Sequence, residues 1–340
     1  MVAAPFRYTE EPESEVMDDN SRTVEIQLES IFIPYAKKCR DEILARKGRF
    51  VHYTSAENAM RIIRSGKLWM RNANCMNDYM EIVHGYDLLR KFFQNPVHKQ
   101  SFVEALNACG DEIAQKTIDL FDGWWKNIEF NTFISCISEH NPDEDNHGRL
   151  SMWRAYGELS AKAAIVVNIP FEPYDSVKGL SLSLSPVAYF SYEDVERELT
   201  EVINNIKNNI DFLRVQGSQV ITDRIFAMLV MAVVSLKHEG FKEEKEWRII
   251  YLPDLIASKL ILRSIETIKG VPQTVYQIPL EDNPTEDVVG VSIPRLVDRI
   301  IIGPSEYSYP LYQAFKLALE EAGVQDSGSR VIVSGIPLRT

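Results

Sequence analysis

Two glutamates lie two positions apart in the segment GFKEEKEWRII, residues 240–250. Glu244 and Glu246 precede a predicted strand, Trp247 to Tyr251. In an extended chain, residues two apart point to the same face, so both carboxylates are expected on one side. Like charges on one face repel unless a cation or a ligand's hydroxyl groups separate them. The pair indicates a polar site, and a charged edge strand that resists aggregation is the structural alternative.

Two other segments carry side chains suited to binding a ligand. His52 lies in a predicted strand, residues 49–53, and Tyr53 and Thr54 follow it. Ser135 and Ser138 lie on a predicted strand at residues 132–138, before the run WRAY. A histidine or serine in a strand is also an ordinary packing residue. These residues belong to a functional site only if the fold brings them close to Glu246.

The loop HNPDEDNH, residues 140–147, holds two histidines with three acidic residues between them. Such side chains bind divalent metals, but this spacing matches no zinc or calcium motif. We interpret the loop as solvated and predict no metal site.

Several enzyme classes lack their motifs in this sequence. It has no glycine-rich phosphate loop of the kinase or dinucleotide-binding type, no nucleophile elbow and no paired-histidine zinc helix. The common kinase, dehydrogenase and hydrolase templates therefore receive no support.

Composition limits the partners and the compartment. The 340 residues carry a net charge of −12, which disfavours nonspecific binding to nucleic acid. The longest apolar run, residues 225–236, is too short for a membrane span and is predicted to be a buried helix. The four cysteines are widely spaced and form no pattern typical of a zinc site or disulfide framework. These features predict a cytoplasmic protein without membrane contact.

The chain is predicted to form one elaborated α+β domain over residues 23–340, after a flexible acidic tail at residues 1–22. Helical insertions are expected at about residues 79–127 and 192–238, the second as two long helices. Residues 24–45 are predicted to be helical, either as one helix or as two helices separated at Pro34. Ser55 is the predicted N-cap of a helix that ends at Gly66. Further predicted strands are residues 163–169, 184–190, 298–303 and 330–334, and helices are predicted at residues 150–157 and 310–322.

Six segments occur in the order typical of one bacterial protein family. They are residues 52–70, MNDYMEI (76–82), SCISE (135–139), LSMWRAYG (150–157), residues 237–250 and IIIGP (300–304). Over residues 49–304 the chain resembles the DUF2971 family, whose function is unknown. Tyr79 occupies the position where that family usually has proline.

A weaker resemblance links the same residues to NAD-dependent ADP-ribosyltransferases of the His-Tyr-Glu type. It implies an ADP-ribosyltransferase-like mixed β core with helical insertions. It also implies that Glu246 is the catalytic carboxylate, that Glu244 orients the acceptor and that His52 holds the adenosine-side ribose. Tyr156 or Trp153 would stack on nicotinamide. The implied NAD-binding residues are Tyr53, Thr54, Asn77, Asp78, Ser135, Ser138, Trp153, Arg154, Tyr156, Lys237 and Arg248.

We therefore expect an enzyme that uses NAD to modify a macromolecule, in bacterial phage defence or toxin–antitoxin biology. The first alternative is a non-catalytic module that binds a nucleotide or a protein. The second is a metal-dependent hydrolase that uses the two glutamates and the loop at residues 140–147.

Overall fold

A computed structural model describes residues 19–76, 81–156, 161–168 and 177–337. Residues 1–18 of the predicted tail lie outside these ranges. Residues 19–22, the rest of that tail, begin the first helix.

The α-helices of the described ranges are numbered in chain order. They are α1 (Asp19–Phe32), α2 (Pro34–Ala45), α3 (Ala56–Ser65), α4 (Glu81–Gln94), α5 (Pro96–Cys109), α6 (Ile113–Phe130), α7 (Leu150–Ala155), α8 (Tyr192–Asn208), α9 (Ile210–Gln216), α10 (Ser218–Ser235), α11 (Ile293–Leu296) and α12 (Ser308–Glu321).

The strands are likewise numbered in chain order. They are β1 (Arg49–Ser55), β2 (Lys67–Asn72), β3 (Phe133–His140), β4 (Lys162–Asn168), β5 (Ser183–Pro186), β6 (Glu246–Tyr251), β7 (Leu262–Ile268), β8 (Val271–Pro279), β9 (Val297–Ile302) and β10 (Val331–Val333).

These described strands form one mixed sheet. Its order is β10-β9-β4-β1-β3-β2-β8-β7, and β6 pairs with both β3 and β5. The pairing of β9 with β10 is parallel, and the other strand pairs are antiparallel. The α+β prediction is confirmed. Because β6 lies between two strands, the charged-edge explanation for Glu244 and Glu246 is wrong.

The register of β1, β3 and β6 decides which side chains can meet. Val51 pairs with Ser138, and Ser138 pairs with Glu246, so these three residues lie in a row across the sheet. Side chains alternate between faces along a strand. We call the face that carries Ser138 and Glu246 the site face. The opposite face, which carries Phe50, His52 and Ile137, is the cavity face.

Each face is covered by its own layer. On the site face, Ile134 and Ile250 join a large apolar cluster with residues of α1, α4, α5, α6, α8 and α10. Further along this face, Val51 and Tyr53 pack against Met152 and Trp153 of α7. On the cavity face, Ile165 and Ile300 pack with residues of α3 and α12.

Local signals placed several elements correctly. The prediction of a strand followed by a capped helix is confirmed at β1 and α3. Ser55 Oγ accepts a bond from the Asn58 backbone N at 3.2 Å, and Gly66 ends the helix with φ 60°. Of the two alternatives for residues 24–45, the structure has two helices, because α1 ends at Phe32 and Pro34 begins α2.

Other predicted boundaries were wrong. Residues 192–238 hold three helices rather than two, since the chain turns at Asn209 and at Gly217, whose φ is 88°. The strand predicted at residues 184–190 ends at Pro186, which has no N–H to extend the ladder.

One described helix, α10, is long and apolar enough to cross a membrane by length and composition alone. More than half of it is buried, and Ile225, Phe226 and Val233 are fully enclosed in the cluster on the site face. These contacts are those of a core helix, as predicted for residues 225–236.

A glycine allows α4 to pack closely against α10. A Cβ on Gly85 would lie 2.2 Å from the Val233 carbonyl oxygen, which belongs to a helix backbone. We expect Gly85→Ala to lower the free energy of unfolding by about 1–3 kcal/mol, because the two helices must separate. Chemical denaturation measures the change.

Gly123→Ala is the matched control, because a Cβ at that exposed position in α6 meets nothing within 4 Å. It should stabilise the protein by roughly 0.5–1 kcal/mol. Equal effects of both substitutions would contradict the close helix contact.

Candidate functional site

Four charged residues converge at the start of β6. Lys237 Nζ donates to Glu244 Oε2 and to Glu246 Oε2, each at 2.8 Å. Arg248 Nε donates to Glu246 Oε1 at 2.9 Å. We call Lys237, Glu244, Glu246 and Arg248 the charged cluster. It holds two positive and two negative side chains, so its charges balance.

The cluster is buried unevenly. Glu246, Lys237 and Arg248 are 4%, 5% and 0% exposed. The side chain of Glu244 is more open, at 16%. Glu244 is therefore the acidic member of the cluster most available to a molecule arriving from solvent.

The segment before α8 holds the backbone of the cluster. The Lys237 backbone N donates to Ala188 O at 3.0 Å, and the Val187 backbone N donates to Glu246 O at 3.0 Å. The Glu246 backbone N donates to Tyr189 Oη at 2.9 Å. These bonds join the end of α10 to the start of β6, so Lys237 reaches Glu246 across a fixed distance.

The two glutamates meet for a different reason from the one the sequence indicated. Glu244 ends a 3-10 helix, Glu239–Glu244, and β6 begins only at Glu246. Lys245, between them, adopts a left-handed conformation with φ 45°. The convergence is correct, but a tight turn and a shared lysine produce it rather than strand alternation.

Arg149 holds this turn in place through hydrogen bonds to its backbone. Its guanidinium donates to the backbone oxygens of Glu243 and Glu244 at 2.9 and 3.1 Å, and to Glu139 O at 2.9 Å. It also pairs with the Glu144 carboxylate at 3.0 Å. One side chain therefore fixes the turn before β6 against the loop after β3.

The surroundings drive the pKa values of the two glutamates apart. Burial opposes ionisation of Glu246, but Arg248 and Lys237 outweigh it and lower its pKa to about 2. The Cys136 side chain adds a hydrogen bond to the same carboxylate. At Glu244, burial and the charge of Glu246 outweigh Lys237, so its pKa is raised. Glu246 is firmly ionised, and Glu244 exchanges a proton more readily.

Two other groups respond to this charge. Burial would lower the pKa of Lys237, but Glu246 and Glu244 raise it above its ordinary value. Burial and Glu244 raise the pKa of Tyr156, which keeps its hydroxyl protonated. Tyr156 therefore presents a neutral hydroxyl beside the acidic side of the cluster.

His52 does not join the cluster. It alternates with Val51 along β1, so its side chain lies on the cavity face while Glu246 lies on the site face. The expectation that His52 and Glu246 face one cleft is wrong. The predicted residues Thr54 and Ser135 also alternate onto the cavity face, since Thr54 is two residues from His52 and Ser135 pairs with Ile249.

Tyr53 lies on the site face, but its side chain is already packed against neighbouring residues. Its ring contacts Trp153 edge-to-face at 4.9 Å between centroids, and its hydroxyl accepts from the Arg149 backbone N at 2.7 Å. Burial raises the pKa of Tyr53 to about 12.

Trp153 is 0% exposed and donates through Nε1 to His147 O at 2.7 Å. Of the two residues named for stacking on nicotinamide, Tyr156 or Trp153, the ring of Trp153 is therefore enclosed. Tyr156 is half-buried near the cluster, and so is Tyr189, whose hydroxyl accepts from the Glu246 backbone N.

The remaining predicted NAD-binding residues differ in how close they lie to the charged cluster and in how buried they are. Ser138 lies beside Glu246 on the site face. Arg248 is enclosed behind Glu246, so it supports that carboxylate and does not face a ligand. Arg154 is exposed on α7. Asn77 and Asp78 lie outside the described residues.

The side chains of the histidine-containing loop are paired with one another and with neighbouring residues of the fold. Asp145 accepts from His140 at 2.8 Å, from Arg49 at 2.7 Å and from Arg299 at 3.1 Å. His147 Nδ1 donates to Ser334 O at 2.6 Å. Within the described ranges, no group of three or more His, Cys, Asp or Glu side chains is placed to hold a metal ion. The loop's contacts are structural.

Sequence reasoning missed three supporting residues. These are Tyr189, Cys136 and Arg149, which contact the cluster or its backbone but were not among the predicted site residues. Cys136 could have been found from the sequence, because it lies two residues before Ser138 on the same strand and therefore on the same face.

Comparison with known proteins adds one match. Residues 152–249 match the model of a family described as protein of unknown function, DUF2971. The resemblance to that family is confirmed over this segment, which is narrower than residues 49–304 and contains the whole charged cluster. No curated protein and no solved structure matches the chain.

The ionisation of Glu246 has a consequence for stability. Its pKa is lowered on folding from an ordinary 4.5 to about 2, so its stabilisation is complete above pH 4.5 and is lost as the pH falls towards 2. We expect Glu246→Gln to lower the free energy of unfolding at pH 7 by about 3–5 kcal/mol, since buried cations lose their partner. The difference from wild type should shrink below pH 4.5.

Denaturant unfolding at a series of pH values measures this difference. Glu243→Gln is the control, because the Glu243 side chain is exposed on the same turn. A Glu246→Gln effect that stays constant from pH 7 to 3 would contradict the assigned ionisation.

Proposed function

We propose that Glu244 and Glu246 form the carboxylate pair of an enzyme that cleaves a nucleotide's glycosidic bond, with NAD as the substrate and ADP-ribosyl transfer as the reaction. The observation that carries the proposal is that Lys237 Nζ lies 2.8 Å from both Glu244 Oε2 and Glu246 Oε2, so one cation holds a more open carboxylate beside a buried one. In keeping with this arrangement, the pKa is lowered at Glu246 and raised at Glu244. Pairs of carboxylates with divided pKa values are typical of acid–base assignments in enzymes.

Each carboxylate has a distinct task in this reaction. As the bond from ribose C1′ to the nicotinamide nitrogen breaks, its electron pair passes to nicotinamide and positive charge develops on the ribose. Ionised Glu246 would hydrogen-bond the ribose hydroxyls and favour that charge. Glu244, when ionised, would accept the proton of the acceptor nucleophile as its new bond to C1′ forms.

The oxygens of Glu246 allow such a contact. A carboxylate has about four acceptor positions. Lys237, Arg248 and Cys136 take one each. Glu244 also hydrogen-bonds the Glu246 carboxyl group, so a ribose hydroxyl would take the place of the Glu244 contact. Ser138 and Tyr156 supply further polar groups on the same face.

The substrate contacts differ from those that the sequence predicted. His52 has no part in this proposal, because it lies on the cavity face. Trp153 and Arg248 act by support, since both are enclosed. The proposed ligand contacts are Glu244 and Tyr156, which are half-buried, and the more deeply buried Glu246 and Ser138 behind them. Lys237 is the cation that holds both carboxylates.

A second candidate function also rests on a specific observation. Lys237 and Arg248 compensate Glu246, which is only 4% exposed. A fully compensated carboxylate suits a non-catalytic module that binds a nucleotide or protein near Glu244. Turnover of NAD separates the two candidates, because the module would bind without releasing nicotinamide.

Several predictions from the sequence remain proposals of the same kind. These are the ADP-ribosyltransferase-like arrangement of the core, a macromolecular acceptor, a cytoplasmic location and a part in bacterial defence. The mostly antiparallel sheet supports the first, and the net charge of −12 supports an acceptor other than nonspecifically bound nucleic acid.

Nicotinamide release from NAD tests the enzyme directly, because water can replace an unidentified acceptor. We expect wild-type protein to release nicotinamide and Glu246→Gln to reduce the rate by about a hundredfold or more. Glu244→Gln should reduce label transfer to a cell extract more than it reduces nicotinamide release. In wild type, transfer should rise with pH as Glu244 ionises.

Glu243→Gln again serves as the control, and each variant is first checked for native secondary structure. If folded wild-type protein releases no nicotinamide and transfers no label, the enzyme proposal is overturned. NAD binding without turnover would favour the second candidate.

A further inference from the structure

An apolar cavity of about 190 Å³ lies on the cavity face, separated from the charged cluster by the sheet. Phe50, Ile137 and Ile165 form part of its floor, and Ile63, Ile278 and Val297 close it from other elements. A cavity of about 150 Å³ with similar walls is large enough for benzene. This cavity is therefore large enough for a small ring compound.

His52 places a polar atom in this apolar wall. Its Nδ1 lies 2.9 Å from the Cys136 backbone oxygen. A carbonyl oxygen only accepts, so Nδ1 carries the proton and donates. Burial lowers the pKa of His52, which keeps the ring neutral at pH 7. In that tautomer Nε2 has a lone pair and accepts hydrogen bonds.

We propose that the cavity binds a small neutral ring compound bearing one hydroxyl group, whose O–H donates to His52 Nε2. The apolar walls bury the ring, and the Nε2 acceptor selects the hydroxyl. Asn168 and Ser183 are the other polar side chains of the lining. This inference is independent of the proposed reaction, because His52 and Glu246 lie on opposite faces. It gives His52 a ligand where the sequence indicated a ribose.

Phenol and benzene are the matched probes, since they share a ring and differ by one hydroxyl. Calorimetry on the full chain at pH 7 should detect binding of both. His52→Phe keeps a ring of similar size and removes the acceptor. We expect it to weaken phenol binding about fivefold while benzene binding stays unchanged or becomes slightly tighter.

A second variant tests the location of the site. Val167→Phe places a larger side chain in the cavity wall and should abolish binding of both probes, with circular dichroism to establish that the variant folds. Glu243→Gln should bind both probes as wild type does.

Three results would overturn the proposal. The first is that wild-type protein binds neither probe at millimolar concentration. The second is that His52→Phe weakens phenol and benzene equally. The third is that folded Val167→Phe still binds them.

Discussion

The buried contacts of Glu246 with Arg248 and Lys237 join the sheet, at β6, to the helical layer, at the end of α10. Arg248 belongs to β6 and also donates to the backbone oxygen of Val234 in α10, and Lys237 follows that helix directly. Burying these charges is costly unless each finds partners with good geometry. The end of the core helix and the start of the central strand must therefore meet at one place, and the turn at residues 239–245 has to fit between them.

Strand alternation then determines which residues share the site. The row Val51, Ser138 and Glu246 runs across three strands, and every residue beside it in sequence faces the other way. Tyr53 and Cys136 therefore lie on the site face, while His52 and Ser135 do not. The same constraint gives the protein two separate environments, one charged and one apolar, on the two sides of a sheet.

Much of the fold followed from local signals in the sequence. The Ser55 cap, the Gly66 stop and the Pro34 break are short-range effects, and they placed α3 and the boundary of α1 and α2 correctly. The convergence of Glu244 and Glu246 was also expected from the sequence. The sequence could not show which residues share a sheet face with Glu246. That depends on the register between strands that are more than eighty residues apart in the chain.

The supporting residues show the same limit. Tyr189 contacts Glu246 through a backbone bond from a segment that was predicted to be a strand, and Arg149 reaches the turn from the loop after β3. Neither contact leaves a pattern in the local sequence. Trp153 looked available for stacking because aromatic residues suit ligands, but its indole fills the space between Tyr53 and the loop that ends at His147.

Burial, Lys237 and Arg248 make two neighbouring carboxylates different, one a fixed anion and the other a proton-exchanging group. Carbon-detected NMR of the glutamate side chains, with resonances assigned from Glu244→Gln and Glu246→Gln, measures both pKa values in the folded protein. The Glu246 resonance should not move between pH 7 and 4, and Glu244 should titrate above the ordinary value of 4.5. If both carboxylates titrate together near 4.5, the assigned difference between Glu244 and Glu246 is contradicted.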